Sequence, residues 1–185
     1  MPRPLSSCRL TPLAAEDQEE EHRKLLAFTS TPGVHAVHLF GTLARHPGLL
    51  RRWMPFAGKL HAGKLSARHR ELIVLRTGWR CGADYEWGHH VLASADAGLT
   101  PAEVDRIRSG SYAGWKPLEA ALLRCADELH DTSSVSDDTW QVLATSYDER
   151  QLIELIMLVG HYHLVCFAAN ALGIQREPEV PGFDT

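Results

Sequence analysis

Apolar positions recur at spacings of three and four residues along most of the chain, and runs with the two-residue alternation of a strand are nearly absent. In "KPLEAALLRCADELHDT", Leu118, Leu122, Cys125, Ala126 and Leu129 form one stripe. The pattern predicts helices from end to end. The first opens at Thr11, with Pro12 in its first turn, and two more cover Gly33 to His46 and Pro47 to Lys64, the latter bent at Pro55. Ser66 caps a helix from Ala67 to Arg80, and "ADYEWGHHVLASADAG" makes the next, stopped by Gly98. Thr100 and Glu103 form a capping box for a short helix, the stripe above follows, and Asp137 to Tyr147 is shorter. Asp148 and Gln151 open the closing helix, which is apolar around most of its circumference from Leu152 to Leu172. Such a helix belongs in the middle of a core or at a subunit contact. Residues 1–10 and 178–185 read as loose ends of one domain spanning 1–185. "SARHRELIVL" and "DERQLIELIM" echo each other faintly, which allows two related halves.

Composition narrows the function. The chain has 185 residues, 44% hydrophobic and 23% charged, which is globular usage. The net charge of -4 and the scattering of 19 Lys and Arg argue against a nucleic-acid surface, which needs clustered cations. No membrane span is expected, and "MPRPLSSCRLTP" lacks the apolar core of a signal peptide. Cys8, Cys81, Cys125 and Cys166 are far apart and form no CxxC, as expected of free thiols in the cytoplasm.

Candidate chemistry concentrates in "GADYEWGHH". Helical spacing places Ala83, Glu86, His90, Ala93 and Ala97 on one stripe, so Glu86 and His90 can touch. His89 lies about 100° further round the helix and faces elsewhere. Glu71 is embedded in "RELIVL", whose apolar neighbours leave the helix little wet surface. Two placements stay open: an exposed carboxylate beside Arg68 and Arg70, or a buried one poised against a histidine as a proton-transfer pair. Histidines also offer a metal alternative, through His89 with His90, His161 with His163, or His35 with His38. Adjacent and i, i+2 histidines point to different helix faces, and no HExxH is present, so no metal is expected. Trp53, Trp115 and Trp140 read as packing residues.

"LSARHRELIVLRTGWRCGADYEWGHHVLASADAGLT" resembles the core of the carboxymuconolactone decarboxylase family, which includes the alkylhydroperoxidase D-like proteins. The likeness lies in a helical Glu-Leu followed nineteen positions later by a histidine, with Tyr-Glu-Trp just before it. Glu71 and His90 have that spacing, and residues 65–100 carry the motif. The resemblance implies an all-α, single-domain alkylhydroperoxidase D-like bundle that forms homo-oligomers, with the closing helix at or near the interface. The family's peroxidase branch carries a CxxC where this chain has Ala83 and Glu86. Without those sulfurs the resemblance implies a cofactor-free acid–base site acting on a small cyclic or carboxylated substrate, in the manner of a decarboxylase, isomerase or lyase. Glu71, Glu86 and His90 are the expected catalytic residues, and Tyr85, Trp79 and Trp87 the expected walls of the pocket. Two alternatives remain: thiol activity through Cys81, which has no resolving partner nearby in sequence, and a non-catalytic helical oligomer that binds a ligand.

Overall fold

Capping chemistry sets most of the boundaries. The computed structural model describes residues 7–30 and 36–183, and no strand occurs among them. Its helices are α1 (Glu20–Leu26), α2 (Val37–Leu43), α3 (Pro47–His61), α4 (Ala67–Arg80), α5 (Asp84–Asp96), α6 (Pro101–Ser109), α7 (Pro117–Thr132), α8 (Asp137–Ser146) and α9 (Glu149–Leu172). The Ser66 side chain accepts from His69 N, and both capping boxes form, at Thr100 with Glu103 and at Asp148 with Gln151. Gly98 follows α5 with φ of 78°, the left-handed conformation expected of a glycine stop.

Helix α4 is the centre of the molecule, packed by α5, α6, α7 and α9. Its consecutive Leu72, Ile73, Val74 and Leu75 are all buried, so α4 has no wet face over this turn. Ile73 and Val74 pack with Leu122 and Cys125 of α7, Leu143 of α8 and Leu155 and Leu158 of α9. Leu72 and Leu75 turn the other way, onto Trp87, Leu99, Ile107, Trp115 and Leu123. Each fully buried side chain of this size contributes about 1.5–3 kcal/mol. A buried bidentate pair ties α4 to α7: Arg76 Nε and Nη2 donate to the Asp127 carboxylate at 2.7 and 3.0 Å.

Helix α9 is long and apolar enough, by length and composition alone, to cross a membrane. In the fold one side of it packs on α3, α4, α5 and α8, as a core helix does. On the other side Ile153, Met157, Leu164 and Phe167 are exposed, with exposed Gly160 between them. These positions step by four, three, four and three, the seam spacing of paired helices.

Three expected helix boundaries need correction. Thr11 caps no helix: Leu13 N donates to Gly41 O at 2.9 Å and Arg45 Nε to Thr11 O at 2.7 Å. These tertiary bonds hold the stretch before Ala15 extended; a 3-10 turn follows at Ala15–Asp17, and the α-helix waits until Glu20. The third helix stops at His61, three residues early, because Glu154 Oε1 takes the N–H groups of Lys64 and Leu65 at 2.7 and 2.9 Å. Of the predicted Gly33–His46 helix, residues 33–35 lie outside the described residues, and the observed part is Val37–Leu43.

Neither end is loose where it is described. Arg9 N donates to Leu172 O at 2.9 Å. At the other end Glu177 and Val180 are buried, and the Phe183 ring stands edge-on to Trp79 with centroids 5.0 Å apart. The tail also crosses α5 at Gly88, where an added Cβ would fall on the Pro181 carbonyl oxygen.

Candidate active site

The turn between α4 and α5 determines the site. Gly82 N donates to Trp79 O at 3.0 Å and Ala83 N to Gly78 O at 2.9 Å, a tight reversal that lays α5 back against α4. Glu71 of α4 thereby meets His90 of α5, with Glu71 Oε2 2.6 Å from His90 Nδ1. Glu71 is 1% exposed, so the buried placement is the one adopted. Its other oxygen accepts from Arg70 Nε at 3.3 Å, while Arg70 Nη1 donates to His61 O at 2.8 Å. His90 Nε2 faces Glu86 Oε2 at 3.8 Å, beyond direct hydrogen-bond range. Glu86 is buried, and its Oε1 has no hydrogen-bond partner in the protein. Tyr162 of α9 sets its ring edge-on to His90, centroids 5.0 Å apart.

These contacts push the three groups apart in acidity. Burial favours neutral Glu71, yet the His90 charge and hydrogen bond, with help from Arg70, hold its pKa below the ordinary value. Burial likewise opposes charge on His90, and the bond and charge of Glu71 outweigh it, so the imidazole pKa is raised. Glu86 lacks such a partner. Desolvation dominates there and raises its pKa against the weaker pull of His90 and His89. Ionised Glu71 can only accept, so the His90 proton bonded to it sits on Nδ1 and Nε2 is the atom presented towards Glu86.

The other sequence candidates are placed elsewhere. Trp79 and Trp87 pack together with Phe183 in the second core cluster, their centroids 5.2 Å apart. Tyr85 is buried, donates to Glu177 Oε1 at 3.1 Å and accepts from Leu39 N at 3.1 Å. A cleft of about 260 Å³ lies beside it, lined by Asp84, Tyr85, Asn170, Arg176 and Glu177 among others, and includes none of Glu71, Glu86 and His90. His89 turns away from His90 and bonds Glu177 Oε2 at 2.8 Å.

The histidine pairs separate in space. His38 Nδ1 bonds Gln175 O, while His161 stacks on Trp53 and has its pKa lowered to about 4 by burial. His35 lies outside the described residues. His163 meets His130 of α7 at 3.0 Å between Nε2 and Nδ1, and Cys81 Sγ lies 3.9 Å from the same His130 nitrogen. Cys81 also has a thiol neighbour in space that its sequence surroundings lack: Cys166 of α9 packs against it and hydrogen-bonds its sulfur. That bond, acting against burial and supported by His163, lowers the Cys81 pKa to about 5. Tyr162, His130 and Cys166 come from helices remote in sequence, so local spacing carries no signal for them.

Residues 47–128 match the model of the carboxymuconolactone decarboxylase family. No curated protein matches the chain significantly. Among solved structures, an uncharacterized peroxidase-related protein from Silicibacter sp. TM1040 superposes with a TM-score of 0.80 at 16% identity, covering 97% of each chain. An alkylhydroperoxidase AhpD core protein from Ralstonia eutropha JMP134, also an uncharacterized peroxidase-related protein, gives 0.79 at 21% identity, covering 93% of each. The debrominase Bmp8 in complex with 2,3,4-tribromopyrrole gives 0.74 at 17% identity, covering 94% of each. At these identities the likeness establishes the fold. Motif, match and architecture agree: the chain has an alkylhydroperoxidase D-like all-helical fold, and its residues 47–128, less than half of its length, are similar to the carboxymuconolactone decarboxylase family.

Proposed function

We propose that the protein is an enzyme of lyase or isomerase type that moves a proton to or from carbon in a small cyclic or carboxylated substrate. The observation that carries this reading is the Glu71–His90 contact of 2.6 Å between a buried carboxylate and an imidazole only partly open to solvent. A carboxylate that fixes one imidazole nitrogen leaves the other to exchange protons at a defined position, the arrangement general acid–base catalysis uses. His90 Nε2 carries the proton, Glu71 orients the ring and stabilises its charged form, and Glu86, biased towards its acid form, is the second proton source. None of these roles calls on a cofactor.

Hydrogen exchange at carbon tests the reading before the physiological substrate is identified. The protein is incubated in D2O with a panel of carboxylated lactones beginning with a carboxylated muconolactone, and deuterium at carbon is read by NMR. The reading expects incorporation that is lost in both His90→Ala and Glu71→Gln. Incorporation that survives His90→Ala overturns it.

A second reading has its own observation, the contact between Cys81 and Cys166. Two adjacent thiols can give two electrons and two protons to a substrate and end as a disulfide, which an external thiol must then reduce. In that case turnover disappears in Cys81→Ser and survives in His90→Ala, the opposite of the first pattern.

A further inference from the structure

A group of side chains outside the Glu71–His90 pair converges without a role in the acid–base reading. Cys81 ends α4, His130 lies in the last turn of α7 and His163 in the middle of α9. Their ligating atoms all fall within 4.8 Å of one another. His130 Nδ1 is 3.0 Å from His163 Nε2 and 3.9 Å from Cys81 Sγ. Tetrahedral coordination with bonds of about 2.0–2.1 Å to nitrogen and about 2.3 Å to sulfur requires nitrogen–nitrogen edges of about 3.3 Å and nitrogen–sulfur edges of about 3.6 Å. Shifts of a few tenths of an ångström would bring both observed edges to these lengths.

The surroundings orient the donors. His163 Nδ1 lies 2.9 Å from Val159 O, which can only accept; the proton therefore sits on Nδ1, and the Nε2 lone pair points into the cluster. Asn170 Nδ2 donates to Cys81 O at 2.9 Å and fixes the backbone that carries the sulfur. Arg80 bridges to Asp127 and Asp131 of α7, which fastens the Cys81 end of α4 to the helix bearing His130. Cys166 and Ala83 pack against Cys81. Both imidazoles are half-buried, so an ion and one further ligand can reach the cluster from solvent.

We propose that Cys81, His130 and His163 form a three-ligand site for a divalent transition-metal ion of the zinc or cobalt class, with its fourth position left to water or another small ligand. One thiolate and two imidazoles suit these ions and not magnesium or calcium, which take oxygen. Three protein ligands with an open position are the pattern of reactive zinc sites, whereas structural sites use four. The proposal stands independently of the Glu71–His90 reading.

The test uses the full chain, reduced and stripped with a chelator, then titrated with Co²⁺ alone. One equivalent should produce a thiolate-to-cobalt charge-transfer band in the near ultraviolet and the intense visible bands of a four-coordinate ion, both displaced by Zn²⁺. Cys81→Ser should remove the charge-transfer band, and His130→Ala and His163→Ala should each weaken binding about a hundredfold or more. Cys8→Ser should leave binding unchanged. Circular dichroism shows whether each variant keeps its helices. X-ray absorption of the zinc-loaded wild type checks the ligand set without any variant, and one sulfur with nitrogen or oxygen neighbours is expected. No charge-transfer band at saturating Co²⁺, a band that survives Cys81→Ser, or a zinc shell with no sulfur or with two would overturn the assignment.

Discussion

Replacing Glu71 by Gln removes one charge and leaves nearly the same shape, so it isolates the electrostatics of the buried pair. In the wild type Glu71 is 1% exposed and 2.6 Å from His90 Nδ1. A hydrogen bond to a charged group is worth about 1.5–3 kcal/mol, roughly twice a neutral one. The variant keeps a neutral bond, loses the ionic part, and leaves Arg70 without its carboxylate. A net loss of about 2 kcal/mol follows, or roughly 4–8 °C in melting temperature for a domain of this length. The sign of the pH dependence follows from the two shifts. Glu71 is depressed, so its contribution is present above about 4.5 and is lost as pH falls through its folded-state value. His90 is raised, so its contribution is full below about 6.5 and is lost as pH rises through its folded-state value. The difference between wild type and Glu71→Gln should therefore be largest from about pH 4.5 to 6.5 and shrink on both sides. Calorimetry or thermal circular dichroism across this range measures it. A difference that is absent, or flat from strongly acid to strongly alkaline pH, would refute the ionic pair.

On a substrate found by the deuterium screen, His90→Ala should lower turnover by about 10²- to 10⁴-fold, the usual contribution of a general acid–base group. His89→Ala removes the bond to Glu177 and the ring contact with Tyr85, both away from His90, and should leave turnover within severalfold, as steady-state kinetics would show. Arg76→Ala leaves the buried Asp127 carboxylate with only Tyr112 and Arg80 and should destabilise by about 1–3 kcal/mol in urea unfolding; no measurable loss would contradict the packing described. The exposed seam of α9 should make the protein a homo-oligomer, and Ile153→Glu with Phe167→Glu should release monomers; wild-type light scattering at the monomer mass at micromolar concentration refutes this.

The helical pattern is legible in the sequence because α7 carries a long apolar stripe and α4, α6 and α9 open on capping residues, signals that tertiary contacts rarely override. Glu71 is readable as a candidate because four apolar residues follow it, but the sequence leaves an exposed placement beside Arg68 and Arg70 open, and its pairing with His90 follows from the spacing shared with the family it resembles. Tyr162 and His130 are not readable, because contact across helices depends on rotation and packing that no local window encodes. The start of the chain misleads for a related reason. Thr11 and Pro12 satisfy every local rule for a helix start, yet Gly41 and Arg45 supply better partners for the extended segment. The tail has no periodicity at all, and its order comes from Trp79 and Trp87 on the surface it meets.

Gly88 gives that tail a consequence beyond stability. A glycine inside a helix costs about 1 kcal/mol relative to alanine, and here the residue clears a path for the backbone of Pro181, with Val180 Cγ1 only 2.7 Å from where a Cβ would stand. Residue 88 and the segment around Pro181 are therefore one unit of exchange, though more than ninety positions separate them. A chimera that takes α5 from a relative with a larger residue at this position must take that relative's tail as well, or the displaced segment will withdraw Phe183 from the two tryptophans and open the second core cluster to water.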